Sequence, residues 1–340
     1  MKPDRLHFLT EKFPPLRIAV VGDICLDRYL IIDESKAEIS IETELPVRNV
    51  VEVRSQPGGA GTIINNLLAL GIANIFPVGF SGEDGEGFEL RRALATHPGV
   101  RLDYFFETNL RRTFTYTKPL LVNPGKKPVE LNRLDFKNWT PTPALVQGHI
   151  LDAVLNLAPQ VDALILLDQV DMPETGVVTR RLLETIESVV KNHPNLLIVA
   201  DSRRGLSGYP CVSLKMNRAE FAVFAGSRSP LQLREIKDQA ALLAKNFGKY
   251  VFVTLAEEGM VGAAPNGEVE LVPALPLRGE IDIVGAGDTV TANLTVALAA
   301  GATLREALEI ATAAASIVIH QLGTTGTATV SDIEKLLIKS

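Results

Sequence analysis

Short apolar runs recur along this chain with helix-period segments between them. Residues 17–21 predict a buried strand, followed by a small-residue helix over about 59–70 and a strand at 75–79. Apolar runs at 163–167, 196–200 and 250–254 predict further strands, and the periodicity predicts helices around 174–191 and 231–246. Continuously apolar strands alternating with helices imply an α/β fold with a mostly parallel sheet covered on both faces. In such sheets ligands bind beyond the carboxyl ends of the strands. Asp23, Asp168, Asp201 and Asp288 fall there, each just after an apolar run or in a Gly-rich turn.

Two stretches break the alternation. Residues 29–53 and 112–133, the latter around Asn123-Pro124-Gly125, mix polar and apolar positions without helical period. They predict exposed β segments projecting as a small lid. Ordinary long loops are the other reading, although structureless loops beyond about 15 residues are uncommon in compact domains. No repeat or linker marks a second unit, so 1–340 is expected to be one domain. Thr303-Leu-Arg-Glu306 is a capping box opening a helix with an apolar stripe through Ala307, Leu308, Ala311, Ala315, Val318 and Leu322. The face carrying Ala311, Ala313, Ala314 and Ala315 suits close approach of a neighbouring helix or of a flat ligand.

A hydrophobic fraction of 46% and a charged fraction of 22% are those of a globular protein. The net charge of −6 argues against nucleic acid or an anionic membrane as partner, so any phosphate must be met by local cations and backbone donors. Cys25 and Cys211 are the only cysteines, which excludes a disulfide framework and a four-thiolate zinc site. Asp4, His7, Glu11 and Lys12 interrupt the opening residues, and no uncharged run approaches the roughly 20 residues of a membrane span. The expectation is a cytoplasmic protein.

The most informative segment runs from Asp282 to Val290, Asp-Ile-Val-Gly-Ala-Gly-Asp-Thr-Val. A helix opening on Gly285-Ala286-Gly287 presents unpaired N–H donors and the positive end of its dipole, which suits a phosphate. Asp288 in that nest can serve as general base for a hydroxyl attacking phosphorus. It equally fits a tight turn with an acid in the first turn of a helix.

Other candidates also carry two readings. Asp23 and Asp27 can accept hydrogen bonds from sugar hydroxyls, or Asp23 can cap a turn. Gly58, Gly59 and Gly61 permit close backbone approach, with Asn65 and Asn66 on the helix that follows. Asn217 and Glu220 form a capping-box pattern, and in the functional reading they organise water-bound magnesium. The P-loop signature is absent. Among Arg111, Arg112, Lys118, Lys126, Lys127, Arg203 and Arg204, the phosphate candidates are Arg112 and Arg203.

Taken in order, Gly22-Asp23…Asp27, Gly58-Gly59-Ala60, Asn217-x-x-Glu220 and Asp282-x-Val-Gly285-Ala286-Gly287-Asp288 resemble the ribokinase-like (PfkB) family of sugar kinases. Within it, Gly22–Tyr29, Ile39-Ser40-x-Glu42, Pro46-Val47, Arg133–Phe136 and Gln321–Thr324 are similar to the kinase domain of bifunctional heptose 7-phosphate kinase/ADP-heptose synthases.

The resemblance implies a three-layer sandwich with a small β lid. It also implies ATP-dependent phosphorylation of a sugar or sugar-phosphate hydroxyl, possible alternatives being fructose, a nucleoside or a silent sensor. Asp288 with Gly285, Ala286 and Gly287 would be catalytic. Asp23, Asp27, Gly58, Gly59, Asn66 and Arg112 would bind the acceptor. Asn217, Glu220, Thr254, Gly259, Asp282 and Ala313 would bind the nucleotide. Mg2+ would sit through water at Asn217 and Glu220, K+ near the Asp282 and Gly323 backbone, and lids would pair in a homodimer. Thr62, Glu38, Asp171-Met172 and Ala256 depart from the family pattern, three of the four departures falling at the acceptor end.

Overall fold

The structure, a computed structural model, describes residues 1–123, 125 and 127–338. Lys126 and Pro124 lie outside the described residues. In chain order the first elements are α1 (Pro3–Thr10), β1 (Arg17–Gly22), β2 (Ile24–Asp33), β3 (Glu38–Ile39), β4 (Pro46–Val47) and β5 (Val50–Gly59). There follow α2 (Ala60–Ala69), β6 (Asn74–Gly82), α3 (Gly85–Ala95), β7 (Phe105–Thr108), β8 (Thr115–Val122), β9 (Val129–Glu130) and β10 (Leu134–Phe136). Next come α4 (Ala144–Leu157), β11 (Ala163–Asp168), α5 (Arg180–Asn192), β12 (Leu197–Ser202), β13 (Ser213–Asn217), α6 (Arg218–Phe224) and α7 (Leu233–Phe247). The chain closes with β14 (Val251–Thr254), β15 (Met260–Ala263), β16 (Val269–Val272), α8 (Ala286–Ala299), α9 (Leu304–Val318) and α10 (Val330–Ile338).

The large sheet has the order β16-β15-β14-β13-β12-β11-β1-β6-β7. It is parallel from β14 to β7, and β15 and β16 extend one edge antiparallel. Every residue of β11 is buried, as a central strand covered on both faces requires. Two apolar cores lie on its two faces. One joins α1, α2, α3, α8, α9 and α10; the other joins α4, α5, α6 and α7. The result is a three-layer sandwich. Among the described residues no helix is long and apolar enough to cross a membrane.

A smaller sheet has the order β10-β8-β2-β5, with β9 paired to β8. It begins earlier and ends later than the alternation in the sequence suggests, because β2 starts directly after Asp23 and β5 runs into the Gly58-Gly59 turn. The helix expected from residue 174 starts at Arg180, where Thr179 caps it by accepting from Leu182 N–H. Residues 174–178 instead form the loop that wraps Asp23.

Candidate active site

Helix α8 starts where Gly285 turns the backbone into the left-handed region at φ 82°. A Cβ at Gly285 would lie in ordinary contact with Thr325 and with Thr62 of α2, at 3.4–3.5 Å, so it is the positive φ that calls for glycine. Ala286 N–H already donates to Ile283 O at 3.2 Å, so one of the three amides expected to face a phosphate is occupied. Asp288 stands in the first turn of α8. Among the described residues no hydrogen bond or ion pair holds its carboxylate. Burial, helped by the charge of Asp201, pushes it up to about 7 against the opposing pull of Lys215. An acid placed only to complement a helix dipole would be solvated and ionised far below that value.

Lys215 is the residue that motif reading missed. It lies in β13, 6% exposed, with Nζ 2.8 Å from Asp201 Oδ2, and Thr291 Oγ1 donates to the same oxygen at 3.1 Å. Burial pulls the ammonium down, but Asp201 and Asp288 outweigh it and hold it above the ordinary lysine value. A Cβ on Gly287 would come 2.9 Å from this Nζ, so the glycine leaves room for the lysine tip beside Asp288. The available signal was a lysine inside an otherwise apolar strand.

Asp27, on β2, faces the same cleft. It is 6% exposed, and its Oδ2 lies 3.6 Å from Lys118 Nζ. Burial raises its carboxyl and Lys118 opposes the rise. A Cβ on Gly58 would meet Asp27 Cγ at 2.7 Å, which explains glycine there. Gly59 turns at φ 56° and caps α2. Gln56, beside Asp27 on β5, donates to Thr325 Oγ1 and so ties the small sheet to the loop against Gly285.

Several expectations need correction. Asp23 is fully buried: Oδ2 accepts from Gln169 and Val170 N–H, at 2.9 and 3.3 Å, and Oδ1 accepts from Val177 N–H at 2.7 Å. These three bonds brace the 169–177 loop, and with no exposure the carboxylate is closed to an acceptor. Burial and the charge of Asp168 raise its carboxyl. Asn66 is likewise fully buried, donating back to Thr62 O within α2 at 2.9 Å. Ala313 sits in the α8/α9 core with no exposure, so the small-residue face serves helix packing. Arg112 is held by Asp84 and Glu86 at 3.4 and 3.3 Å, and Arg203 by Asp171 at 3.4 Å.

The remaining candidates line the ends of β13, β14 and α8. Asn217 caps α6 reciprocally with Glu220, accepting its N–H at 2.9 Å while Glu220 Oε2 accepts from Asn217 N–H at 2.7 Å. Burial raises the Glu220 carboxyl. Thr254 Oγ1 donates to Met216 O at 3.5 Å. Gly259 has φ 97°, and a Cβ there would run into Val272 O at 2.0 Å. Asp282 accepts from Val284 N–H at 3.0 Å and Gly323 N–H at 3.4 Å, drawing two loops together. Ala256 holds φ 52°, the conformation of the glycine that the family pattern has there. Glu38 is exposed on β3 and accepts from Asn49. A hollow of about 770 Å³ lies between α5 and residues 204–211, and Asp288 is not among the residues that line it.

A family model described as "pfkB family carbohydrate kinase" matches residues 16–330. Among curated proteins, the chain is 32% identical over 317 residues to the "Bifunctional protein HldE" of Nitrobacter hamburgensis and 33% identical over 308 residues to that of Azorhizobium caulinodans. These alignments cover 93% and 90% of this chain but only 62% and 61% of the relatives' length. Among solved structures, Arabidopsis thaliana ribokinase complexed with ribose and ATP aligns with a TM-score of 0.67 at 22% identity, covering 95% of this chain and 99% of that one. Phosphofructokinase-2 from Escherichia coli aligns at 0.71 and 18% identity with the same coverage. At those identities the two structures show the shared ribokinase-like fold.

Proposed function

The chain belongs to the pfkB family of carbohydrate kinases, and on that premise we propose that it transfers the terminal phosphoryl group of ATP to a hydroxyl of a sugar or sugar phosphate, with Asp288 as general base. The observation that carries this reading is an unpaired carboxylate raised to about 7, standing in the first turn of a Gly-Ala-Gly helix start. Such a group is ionised for much of the time near neutral pH and basic enough to take an alcohol's proton. The acceptor oxygen attacks phosphorus in line, its proton passes to Asp288, and the bond to ADP breaks with the electron pair leaving on ADP. The positive end of α8, with the N–H of Gly287, faces the charge that develops.

Asp27, with Lys118 beside it, holds acceptor hydroxyls over Gly58. Asn217, Glu220, Thr254, Gly259 and Asp282 border the nucleotide. Among the described residues no group of three or more His, Cys, Asp or Glu side chains could hold a metal. That suits magnesium, which keeps its waters and takes one or two carboxylates plus phosphates, here Glu220 with Asn217. Bound there it would neutralise phosphate charge. Potassium would belong where Asp282 meets Gly323. Exposed Ile39, Val51, Val53 and Leu134 on the small sheets support its use as a lid that pairs with a second copy. The likeness to bifunctional heptose kinases, whose length the chain covers only in part, supports a heptose-type acceptor and leaves open whether it carries a phosphate at its far end.

The experiment is ADP release over a panel of hexoses, heptoses, nucleosides and their phosphates, for wild type and Asp288→Asn. The kinase reading expects turnover on at least one acceptor and a loss of roughly 10²–10⁴ in the variant. Wild type without acceptor-dependent ADP release, or a variant that matches it, overturns the reading in favour of a sensor that keeps the fold.

A further inference from the structure

The kinase reading leaves the acceptor class open, and the charges on the small sheet narrow it. Residues directly opposite across paired strands share a face, so Gln56, Asp27, Tyr116 and Asp135 form one row across β5, β2, β8 and β10. Asp27 feels Asp288 and Gln56 bonds Thr325 beside Gly285, so this face looks toward the reacting centre. Among the described residues, five basic side chains on or beside it bear on the acceptor, and four of them already have internal carboxylates. Lys118 lies 3.6 Å from Asp27, and Arg133 makes two hydrogen bonds to Asp135 at 3.0 and 2.7 Å. Lys137 lies 2.6 Å from Asp171 and 3.8 Å from Asp135, and Arg203 lies 3.4 Å from Asp171. The fifth, Arg54, lies over the Tyr29 ring and donates to Gly323 O at 3.3 Å.

Asp171 comes from the loop after β11 and closes the end of this row. Its carboxyl is held below the ordinary range, first by the Lys137 hydrogen bond, so it is charged at neutral pH. The hollow it shares with Tyr116 and Lys137 is about 20 Å³. That is room for about one water, and neither Asp27 nor Lys118 lines it, so it lies beside the acceptor cleft and not within it.

We propose that the acceptor is a sugar carrying no phosphate at the end remote from its reacting hydroxyl, and that Asp171, by pairing with Lys137 and Arg203, is the residue that sets this specificity. A phosphate ester would have to displace Asp171 from both cations and would then face it as a like charge. The proposal deepens the kinase reading and depends on it.

The test measures kcat/KM for free hexoses and heptoses and for their terminal phosphate esters, with wild type and Asp171→Asn, at low and high salt. Wild type favours the free sugars. The variant shifts the ratio toward the esters by about tenfold or more at low salt, and by less at high salt where charges are screened. A purely structural role for Asp171 would lower both acceptors together and leave the ratio and its salt dependence unmoved. Wild-type preference for the esters overturns the proposal, as does an unchanged ratio in a variant whose circular dichroism matches wild type. If the variant fails to fold, the wild-type ratio alone decides. Turnover of neither class by wild type overturns the kinase reading itself, a failure recognisable because Asp288→Asn then changes nothing.

Discussion

Replacing Lys215 by Met removes an ammonium that stands between Asp201 and Asp288. Lys215 and Asp201 are 6% and 8% exposed and 2.8 Å apart, and among the described residues Thr291 supplies the only other donor to the shared Asp201 oxygen. Breaking a buried pair by removing one partner strands the other charge, at a cost of about 3–5 kcal/mol. Neutralising both residues removes the stranded charge. The double variant Lys215→Met/Asp201→Asn should therefore recover about 1–3 kcal/mol of that loss as coupling between neighbouring sites. Urea unfolding of the four proteins measures the cycle, with m-values compared to confirm that the same surface unfolds in each. Catalysis gives an independent readout. Lys215 holds the Asp288 carboxyl down, so its loss moves the acidic limb of kcat/KM upward in pH. A single variant that loses less than about 1 kcal/mol, with additive double-mutant energies and an unmoved acidic limb, would refute the network.

Three further outcomes follow from the same geometry. Asp23→Asn places an amide NH₂ against backbone donors that now meet a carboxylate, and should cost about 2–4 kcal/mol in chemical unfolding while leaving acceptor KM in the surviving protein within a few-fold. Asp27→Ala should cost less stability than Lys215→Met, because Lys118 keeps the Tyr29 hydroxyl and ring, and should raise acceptor KM by at least about tenfold, read from initial rates with saturating ATP. Ala256→Gly relieves a left-handed alanine at φ 52° and should stabilise by up to about 1 kcal/mol, seen as a Tm rise of about one degree.

The central sheet was legible because its strands carry continuous apolar runs: β1, β11, β12 and β14 lie where runs such as 163–167 put them. The antiparallel edge β15–β16 was not, since Met260–Ala263 and Val269–Val272 are short runs with no helix to mark a crossover. The helix start at Gly285 could be read because glycine and a following apolar stretch are local signals. Asp23 could not be assigned from sequence, since its three partners come from residues 169, 170 and 177, far along the chain. Asn66 and Ala313 failed for a related reason. A helix shows which residues share a face, but not which face meets α8 and which meets a cleft. Lys215 was visible as an oddity in β13, yet only the fold supplies Asp201 and Asp288 as its neighbours.

Asp288 also links activity to stability. Its folded carboxyl is raised, so the stability it contributes is present at acidic pH, below the ordinary carboxylate range, and is lost as pH rises through about 7. The most direct measurement is kcat/KM against pH for the acceptor, which reports the free enzyme. The account predicts a rate falling about tenfold per pH unit below about 7 in wild type, and in Asp288→Asn a loss of roughly 10²–10⁴ with that limb gone. A wild-type limb near 4, or a variant that keeps both rate and limb, would contradict it.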